Sequence, residues 1–348
     1  MAYTTINDPS AHFQTALWTG NGGTQSIVND GNSNLKPDFL WTKRRDGGGQ
    51  NHHAVDSTRG STETVVPNDT DGESAKATGC TSFDTDGFSV GADNNYNSNS
   101  NTFVGWQWKA NGGTTSTNND GSQASTVQAN TTAGFSIVKR TGTGSAGATY
   151  GHGLGVVPDV IINKGLNTNN WYCYFKAIGG GTKWLMLDGD GAAVTDANMW
   201  NNTSATSSVF TVGNSGGSNG SAVDYIAYCF ASVKGYSKFG SYTGNGDADG
   251  PFIYTGFKPA WLMIKKSSGT NHWHMFDNKR DPDNVVQKHL LADLANDEAS
   301  NTWGDLLSNG FKLRTTLVGV NGSGDDYVYM AFAQNPFVAT NNVVATAR

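Results

Sequence analysis

The chain has 348 residues, of which 45 are glycine and only 15% are charged, against about 25% in an ordinary soluble domain. No stretch is rich enough in helix-forming residues to sustain a long helix, which excludes an all-helical or coiled-coil protein. The 10 Trp, 12 Tyr and 16 Phe supply apolar faces that a disordered chain lacks. A net charge of −6, with no basic run longer than residues 43–45, argues against a nucleic-acid partner.

The sequence also argues against a membrane and against disulfide bonds. No apolar run reaches the roughly 20 residues that span a bilayer. The first residues lack the basic and apolar regions of a secretion signal, so we expect synthesis in a host cytoplasm without export. The three cysteines, Cys80, Cys173 and Cys229, are odd in number and irregularly spaced, which predicts reduced thiols.

One pattern occurs three times along the chain. Each copy has a glycine turn, then a proline 13 to 15 residues later, then a lysine six residues beyond the proline across an apolar run. The repeated residues are Gly20, Gly22, Pro37 and Lys43, then Gly142, Gly144, Pro158 and Lys164, then Gly244, Gly246, Pro259 and Lys265. Each copy closes with an aromatic, strand-like run, at 102–108, 224–230 and 327–332.

Units of about 100 residues with short strands and Gly or Asn turns predict an all-β fold of tandem antiparallel β-sandwiches. In chain order we expect a first unit at 1–112, a linker or edge strand at 113–132, and a second unit at 133–233. A third unit at 234–338 packs on the second, and a tail follows at 339–348. The tail adds no core of its own, so we expect a partner subunit to hold it.

Two residues of the repeated pattern carry a structural expectation. A proline can start a strand but not lie in the middle of a central one, so each proline predicts a strand start. The lysine at the strand's end is expected to reach solvent, with a ligand contact as the alternative. The segment 285–295 has an approximate helical stripe, but a strand and turn fit it equally well.

Catalytic patterns match only superficially. The glycine pattern at 142–147 resembles a dinucleotide loop, but no helix can follow it, and the serine loop at 213–217 lacks the setting of a nucleophile elbow. Glutamates are scarce. We therefore predict no catalytic residue and no cofactor. Acidic glycine turns at 69–72, 188–191 and 247–250 leave structural calcium open, although none continues into a calcium-binding loop.

Two tryptophans lie in polar stretches and are the candidates for sugar recognition. Trp200 is followed by Asn201, and Trp303 lies close to Asp305. A flat ring beside amide or carboxylate groups can stack on a sugar ring and bind its hydroxyls. The alternative is that each tryptophan closes the end of its own sandwich.

These motifs resemble a family of repeat proteins in the tail-fibre and other virion genes of marine bacteriophages, especially cyanophages. The resemblance covers nearly the whole chain and is carried by the segments 242–261, 307–314 and 329–337, by 151–158 in the second unit and by 53–60 in the first. It implies lectin-like (concanavalin-like, jelly-roll) sandwiches and a place in the virion, with no catalytic residues to carry over. Longer relatives have an N-terminal shaft that this sequence lacks, so a compact protein on tail or capsid fits equally well.

The sequence thus predicts a non-enzymatic virion protein, a tail fibre or tail-associated host-attachment protein that forms homo-oligomers. The expected partners are other virion proteins and a host surface glycan. A capsid decoration or head fibre protein, and a polysaccharide depolymerase, are the alternatives.

Overall fold

A computed structural model describes residues 3–338; the tail at 339–348, with the partner contact expected for it, lies outside the described residues. The described chain is 45% strand and 7% helix, and the ladders between its strands are antiparallel. This confirms the all-β class and the antiparallel sandwiches. Cys80, Cys173 and Cys229 are buried free thiols, in agreement with the prediction of reduced cysteines.

Unit 1 consists of a larger and a smaller sheet. Its strands are β1 (Phe13–Thr19), β2 (Gln25–Val28), β3 (Phe39–Arg44), β4 (His53–Asp56), β5 (Gly60–Val65), β6 (Ser74–Ala75), β7 (Cys80–Asp84), β8 (Gly87–Val90) and β9 (Thr102–Trp108). The larger sheet has the order β1-β9-β3-β4-β5-β6 and the smaller one β2-β8-β7. A 3-10 turn (Pro9–Ala11) precedes β1, and the one-turn helix α1 (Asn94–Asn97) precedes β9.

Unit 2 repeats this plan with two added strands at one edge. Its strands are β10 (Ser116–Asn118), β11 (Ser125–Asn130), β12 (Phe135–Thr141), β13 (Ala148–Gly151), β14 (Val160–Gly165), β15 (Trp171–Phe175), β16 (Lys183–Met186), β17 (Val194–Thr195), β18 (Val209–Val212) and β19 (Asp224–Phe230). The sheets are β10-β11-β12-β19-β14-β15-β16-β17 and β13-β18. Its helical turns are Lys176–Ile178, Gly180–Thr182, α2 (Ala197–Trp200) and α3 (Gly216–Asn219). The segment 113–132 therefore holds the two added strands, of which β10 is the edge strand and β11 lies between β10 and β12.

Unit 3 joins its two layers into one eight-stranded sheet. Its strands are β20 (Ser237–Thr243), β21 (Phe252–Tyr254), β22 (Phe257–Lys266), β23 (Trp273–Asp277), β24 (Val286–Leu291), β25 (Ala299–Leu307), β26 (Gly310–Leu313) and β27 (Asp326–Pro336), with helix α4 (Val318–Asn321). The order is β20-β27-β22-β23-β24-β25-β26-β21. The segment 285–295 is a strand followed by a turn rather than a helix.

The closing strand of each unit is apolar along its whole length because both of its faces are buried. In β19, Ala227 and Cys229 face the core of unit 2's own sandwich. The alternate residues Ile226 and Phe230 belong instead to a second core, to which all three units contribute. Strands β9 and β27 divide their side chains in the same way. Because successive side chains of a strand point to opposite faces, an unbroken apolar run serves two cores.

The three larger sheets pack around this shared core as a ring. Trp108, Phe230 and Phe332 occupy equivalent positions at the ends of β9, β19 and β27, and their ring centroids lie 5.6 to 6.4 Å apart. The three rings therefore mark a pseudo-threefold axis. The expected packing of unit 3 on unit 2 is one of three similar junctions.

The glycine turn of each unit is held by a buried asparagine. Asn97, Asn219 and Asn321 are fully buried, and each accepts a backbone N–H from the turn of its own unit at 2.9 to 3.1 Å. A Cβ at Gly20 or Gly142 would overlap the carbonyl oxygen of a neighbouring loop, so the turn excludes a side chain there. The repeated glycines therefore have a structural role.

The prolines follow the predicted rule in two units out of three. Strands β3 and β14 begin two residues after Pro37 and Pro158. Pro259 lies inside β22, a central strand, and this prediction was wrong. The ladder between β22 and β27 shifts register at Pro259, so the missing N–H falls at a β-bulge and no regular ladder bond is lost.

Candidate functional site: the junctions between units

The sequence suggested that the three motif lysines reach solvent. This prediction was wrong, because all three are fully buried. Each donates its Nζ proton to a backbone carbonyl of a neighbouring unit. Lys43 of unit 1 donates to Ala295 of unit 3 at 3.1 Å. Lys164 of unit 2 donates to Thr70 of unit 1 at 3.1 Å, and Lys265 of unit 3 to Asp190 of unit 2 at 3.0 Å. The lysines therefore bond the units in one direction around the ring.

Burial makes these lysines easier to deprotonate. Removal from water lowers the pKa of Lys43, Lys164 and Lys265 to about 8, and nearby carboxylates oppose that shift only in part. The carbonyl oxygens around each ammonium stabilise the charged form. The lysines thus bond the units to one another at the junctions.

A second set of side chains makes bonds with the same direction around the ring. The indole N–H of Trp171 donates to the Val66 carbonyl of unit 1 at 2.8 Å, and that of Trp273 donates to the Met186 carbonyl of unit 2 at 2.8 Å. At the equivalent position of unit 1, His52 Nε2 lies 3.0 Å from the Leu291 carbonyl of unit 3. A carbonyl only accepts, so His52 carries its proton on Nε2.

Two junctions place a buried ion pair next to the shared core. At the junction of units 2 and 1, the Tyr228 hydroxyl donates to Asp56 at 2.8 Å, and Arg59 pairs with the same carboxylate at 2.6 Å. At the junction of units 1 and 3, the Trp106 indole donates to Asp277 at 3.0 Å, and Arg280 pairs with that carboxylate. Both carboxylates are fully buried.

The third junction is apolar at the same place. The register of the strands makes Phe175 the equivalent of Asp56 and Asp277, and Met330 the equivalent of Tyr228 and Trp106. Both side chains belong to the shared core.

The structure does not support the predicted sugar-binding role of Trp200 and Asn201. Trp200 is 1% exposed and packs in the core of unit 2, where its ring lies edge-on to that of Tyr174. It is the last residue of helix α2. The side chain of Asp196 caps the start of this helix by accepting the Asn198 N–H. Asn201 caps this helix in the left-handed conformation. The polar neighbours in the sequence are capping residues, which is why this stretch had the composition of an exposed loop.

Trp303 and Asp305 are likewise unavailable to a sugar. Trp303 is 4% exposed within β25, and its indole donates to His289 Nδ1 at 3.2 Å. Asp305 is buried and accepts a bond from Arg314 at 2.7 Å. Trp200 and Trp303 belong to separate cores, so the structure does not bring the four predicted residues together. The alternative, in which each tryptophan closes its own sandwich, agrees with the structure.

The acidic turns have structural partners. Asp188 accepts the Trp171 backbone N–H at 2.9 Å, and the Asp190 carbonyl accepts from Lys265. Asp249 pairs with Lys312 at 2.7 Å. Within residues 3–338 no group of three or more His, Cys, Asp or Glu side chains is placed to hold a metal ion.

Each junction has a cleft on its outer side. We define it as the space between the outer edge of a unit's first inner strand and one loop of the neighbouring unit. Cleft 2–1 lies between β12 and the loop after β4 of unit 1. Cleft 1–3 lies between β1 and the loop after β23 of unit 3, and cleft 3–2 between β20 and the loop after β15 of unit 2. The three clefts are quasi-equivalent.

Cleft 2–1 is filled by the chain itself. Strand β11 pairs with the outer edge of β12 and places Gln128 opposite Ile137. The Gln128 amide is fully buried and donates to the hydroxyls of Ser57 and Thr58 of unit 1, at 2.9 and 2.7 Å. An added strand thus covers the edge, and one of its side chains closes the gap between the units.

Cleft 1–3 is partly closed by an ion pair. Asp30 and Lys279 meet across it at 2.6 Å, and the loop that carries Asp30 lies over β1, where the Gly31 N–H donates to the Gln14 side chain. The remaining cavity measures about 240 Å³.

Cleft 3–2 is open along β20. Near Phe239 it has a cavity of about 300 Å³, lined by Phe175 and Ala177 of unit 2. The cavity continues along β20 past Ser241 and Thr243 as a space of about 630 Å³. In the described chain, β20 pairs with β27 on one side and with no strand on the other.

The fold and its junctions define a single-chain ring of three quasi-equivalent β-sandwich units. The chain belongs to a family described as a domain of unknown function, DUF7483, whose model matches residues 8–336. The matched segment spans all three units, so the family's domain is the whole ring. No curated protein and no solved structure matches the chain. No helix in residues 3–338 is long and apolar enough to cross a membrane.

Proposed function

We propose that the protein is a non-enzymatic structural protein of a bacteriophage virion, carried on the tail and involved in host attachment. The observation that carries the proposal is that the lysines of the repeat bond neighbouring units to each other. Lys43, Lys164 and Lys265 join the units through bonds to backbone carbonyls. The sequence resemblance to virion repeat proteins supports the location. Assembly into homo-oligomers remains a prediction.

Exposed aromatic side chains offer a different surface for a host glycan than the one predicted from sequence. Phe252 and Tyr254 of β21 are 44% and 54% exposed, and both point outward because they are two residues apart on one strand. The Tyr254 hydroxyl lies 3.1 Å from that of Tyr3, which adds polar groups beside the rings. We place the glycan contact of the attachment role here.

Imaging of intact particles tests the location. Gold-labelled antibody against the recombinant chain is expected to mark the tail. Label over the head would instead support a capsid decoration or head fibre protein, and particles without label would overturn the virion assignment. Release of reducing ends from host envelope polysaccharide would contradict the non-enzymatic part of the proposal and favour a depolymerase.

The glycan surface is tested by competition for adsorption. The recombinant chain is expected to slow phage adsorption to host cells, and the double variant Phe252→Ala, Tyr254→Ala to lose most of this effect. Val156→Ala removes an exposed apolar group of unit 2 and serves as the matched control. Equal inhibition by the double variant would exclude this surface.

A further inference from the structure

We propose that cleft 3–2 is a docking site for an extended polypeptide strand of a partner protein, which adds to the outer edge of β20. The proposal does not depend on the virion role, because it concerns how another chain is held and not where the protein is located. A negative result here leaves the particle imaging unaffected.

The filled cleft 2–1 shows how this geometry accepts a strand. Strand β11 pairs antiparallel with β12, and its Gln128 lies opposite Ile137. The equivalent of Ile137 in unit 3 is Phe239, two residues into β20. The ring therefore presents the same strand edge three times. Strand β11 occupies it at β12, the loop that carries Gly31 lies over it at β1, and at β20 no strand pairs with it in the described chain.

The backbone of β20 is arranged to receive a strand. The Gly244 N–H donates to the Asp325 carbonyl, which fixes residues 238, 240 and 242 as the ones that bond β27. The N–H and C=O groups of residues 239, 241 and 243 therefore point away from β27. The Phe239 N–H donates to the Ser232 hydroxyl at 3.2 Å, so the N–H groups of Ser241 and Thr243 are the ones offered to an incoming strand. Ser241 and Thr243 are exposed and line the wider part of the cleft. Such an edge is a template for pairing with another strand.

The walls of the cleft indicate the chemistry of the incoming strand. In cleft 2–1, Gln128 meets the hydroxyls of Ser57 and Thr58. In cleft 3–2 the corresponding wall presents Phe175 and Ala177 beside Phe239. Its charged residues Asp159 and Lys176 pair with each other at 3.7 Å. The partner residue opposite Phe239 should therefore be apolar. The residues two positions away on the same face can be small and polar, as Thr126 and Asn130 are in β11. The alternate face, where β11 places Val127 and Ala129, packs against the core of the unit that receives the strand.

A peptide derived from β11 tests this inference. The probe is a fluorescein-labelled peptide with the sequence of residues 123–131 carrying Gln128→Leu, and the comparison is the unchanged peptide. Fluorescence anisotropy with the full chain is expected to show saturable binding of the leucine peptide, at least threefold tighter than the unchanged one. Hydrogen exchange should slow at the amides of Ser241 and Thr243.

Two proline variants locate the site. Ser241→Pro removes an outward N–H and leaves the ladder to β27 intact, so binding should weaken at least tenfold. Leu17→Pro makes the same change at the equivalent position of β1 and should leave the affinity within twofold of the wild type. Circular dichroism verifies that both variants are folded.

Three outcomes would overturn the proposal. One is unchanged binding to a folded Ser241→Pro. Another is slow exchange at Ser241 and Thr243 without peptide, since the edge would then be covered already. The third is protection of these amides by an oligosaccharide and not by either peptide, which would make the cleft a carbohydrate site.

Discussion

The junction of units 1 and 3 and the junction of units 3 and 2 perform the same task with opposite chemistry. At the first, Trp106 donates to Asp277, which also pairs with buried Arg280. At the second, Met330 and Phe175 occupy the equivalent positions. The difference teaches that the ring geometry does not require charge at this place. Burying an ion pair carries a desolvation cost that burying two apolar side chains does not. A wrong partner, however, leaves one charge of the pair buried and uncompensated, which is strongly destabilising.

Placing a charge in the apolar junction should have the largest effect. Phe175→Asp removes a packed ring and buries a carboxylate without an arginine, since Ile178 stands where unit 3 has Arg280. We expect a loss of more than about 5 kcal/mol in the free energy of unfolding, measured by urea denaturation. Phe175→Leu, which keeps the site apolar, should lose only about 1 kcal/mol. Similar losses for the two variants would contradict the apolar character of the junction.

Removing the carboxylate from the polar junction should cost somewhat less. Asp277→Ala leaves the Arg280 guanidinium buried, with Glu298 at 3.2 Å as its remaining carboxylate partner among the described residues. The expected loss is about 3–5 kcal/mol. Asp30→Ala, which breaks the exposed pair with Lys279, is the control and should change stability by about 0–1 kcal/mol. If both variants lost the same amount, burial would not be what makes the Asp277 pair strong.

The motif lysines add a pH-dependent contribution that both kinds of junction share. Lys164→Met leaves the Thr70 carbonyl without its donor, and we expect a loss of about 1–3 kcal/mol at pH 7. The pKa of Lys164 is about 8 when folded and 10.5 when unfolded, so the unfolded chain binds more protons between these values. This lysine's contribution to stability therefore rises from pH 8 to 10.5 and is smallest below pH 8.

Urea denaturation at pH 7, 8.5 and 9.5 measures that dependence as a difference. The gap between wild type and Lys164→Met should widen with pH. Lys238→Met, at an exposed lysine of β20, is the control variant. A gap that narrows with pH would mean that the sign of the lysine's pKa shift is wrong.

The smallest effect is expected when one junction is converted into the other. The triple variant Trp106→Met, Asp277→Phe, Arg280→Ile gives the polar junction the residues of the apolar one. Replacing a buried ion pair by apolar groups is often neutral, so stability should stay within about 2 kcal/mol of the wild type. A loss as large as that of Asp277→Ala would show that the two junctions differ in backbone geometry as well as in chemistry.

The sequence predicted the all-β fold because its repeated signals are local. A glycine turn, a strand-starting proline and an aromatic closing strand are each readable within a few residues, and the fold class follows from them. The proline rule failed at Pro259 because a β-bulge, which depends on the partner strand, removes the conflict. Even so, strand positions were the most predictable feature of the molecule.

The junctions could not be predicted, because each one joins residues far apart in the chain. Lys43 and Ala295 are in contact across 252 positions, and nothing near Lys43 indicates that a carbonyl covers it. The repeat did hold one signal, since a lysine kept at the same place in three units has a shared role. Trp200 misled for the opposite reason, because its capping residues have the composition of an exposed loop.

Some structurally equivalent positions hold residues so different that a sequence comparison of the three units would not match them. The carbonyls of Tyr96 and Val320 accept from Trp18 and Tyr242, and the same place in unit 2 uses Arg140 with the Ser218 carbonyl. Indole, phenol and guanidinium share only a flat donor. Burial lowers the pKa of Arg140 to about 10, although the rings of Tyr150 and Tyr225 lie 4.5 Å from it.

The aromatic triad on the pseudo-axis, formed within one chain, affects how the core can change in evolution and whether the units can dissociate on dilution. Three separate identical chains would place three copies of one residue at the axis, so every substitution there would be tripled. Here Trp108, Phe230 and Phe332 can change one at a time, which lets a large ring be balanced by two smaller ones. Because the units are linked covalently, their effective concentration is fixed by the chain. The ring therefore does not come apart into its units at any dilution, even where a trimer of free units would dissociate.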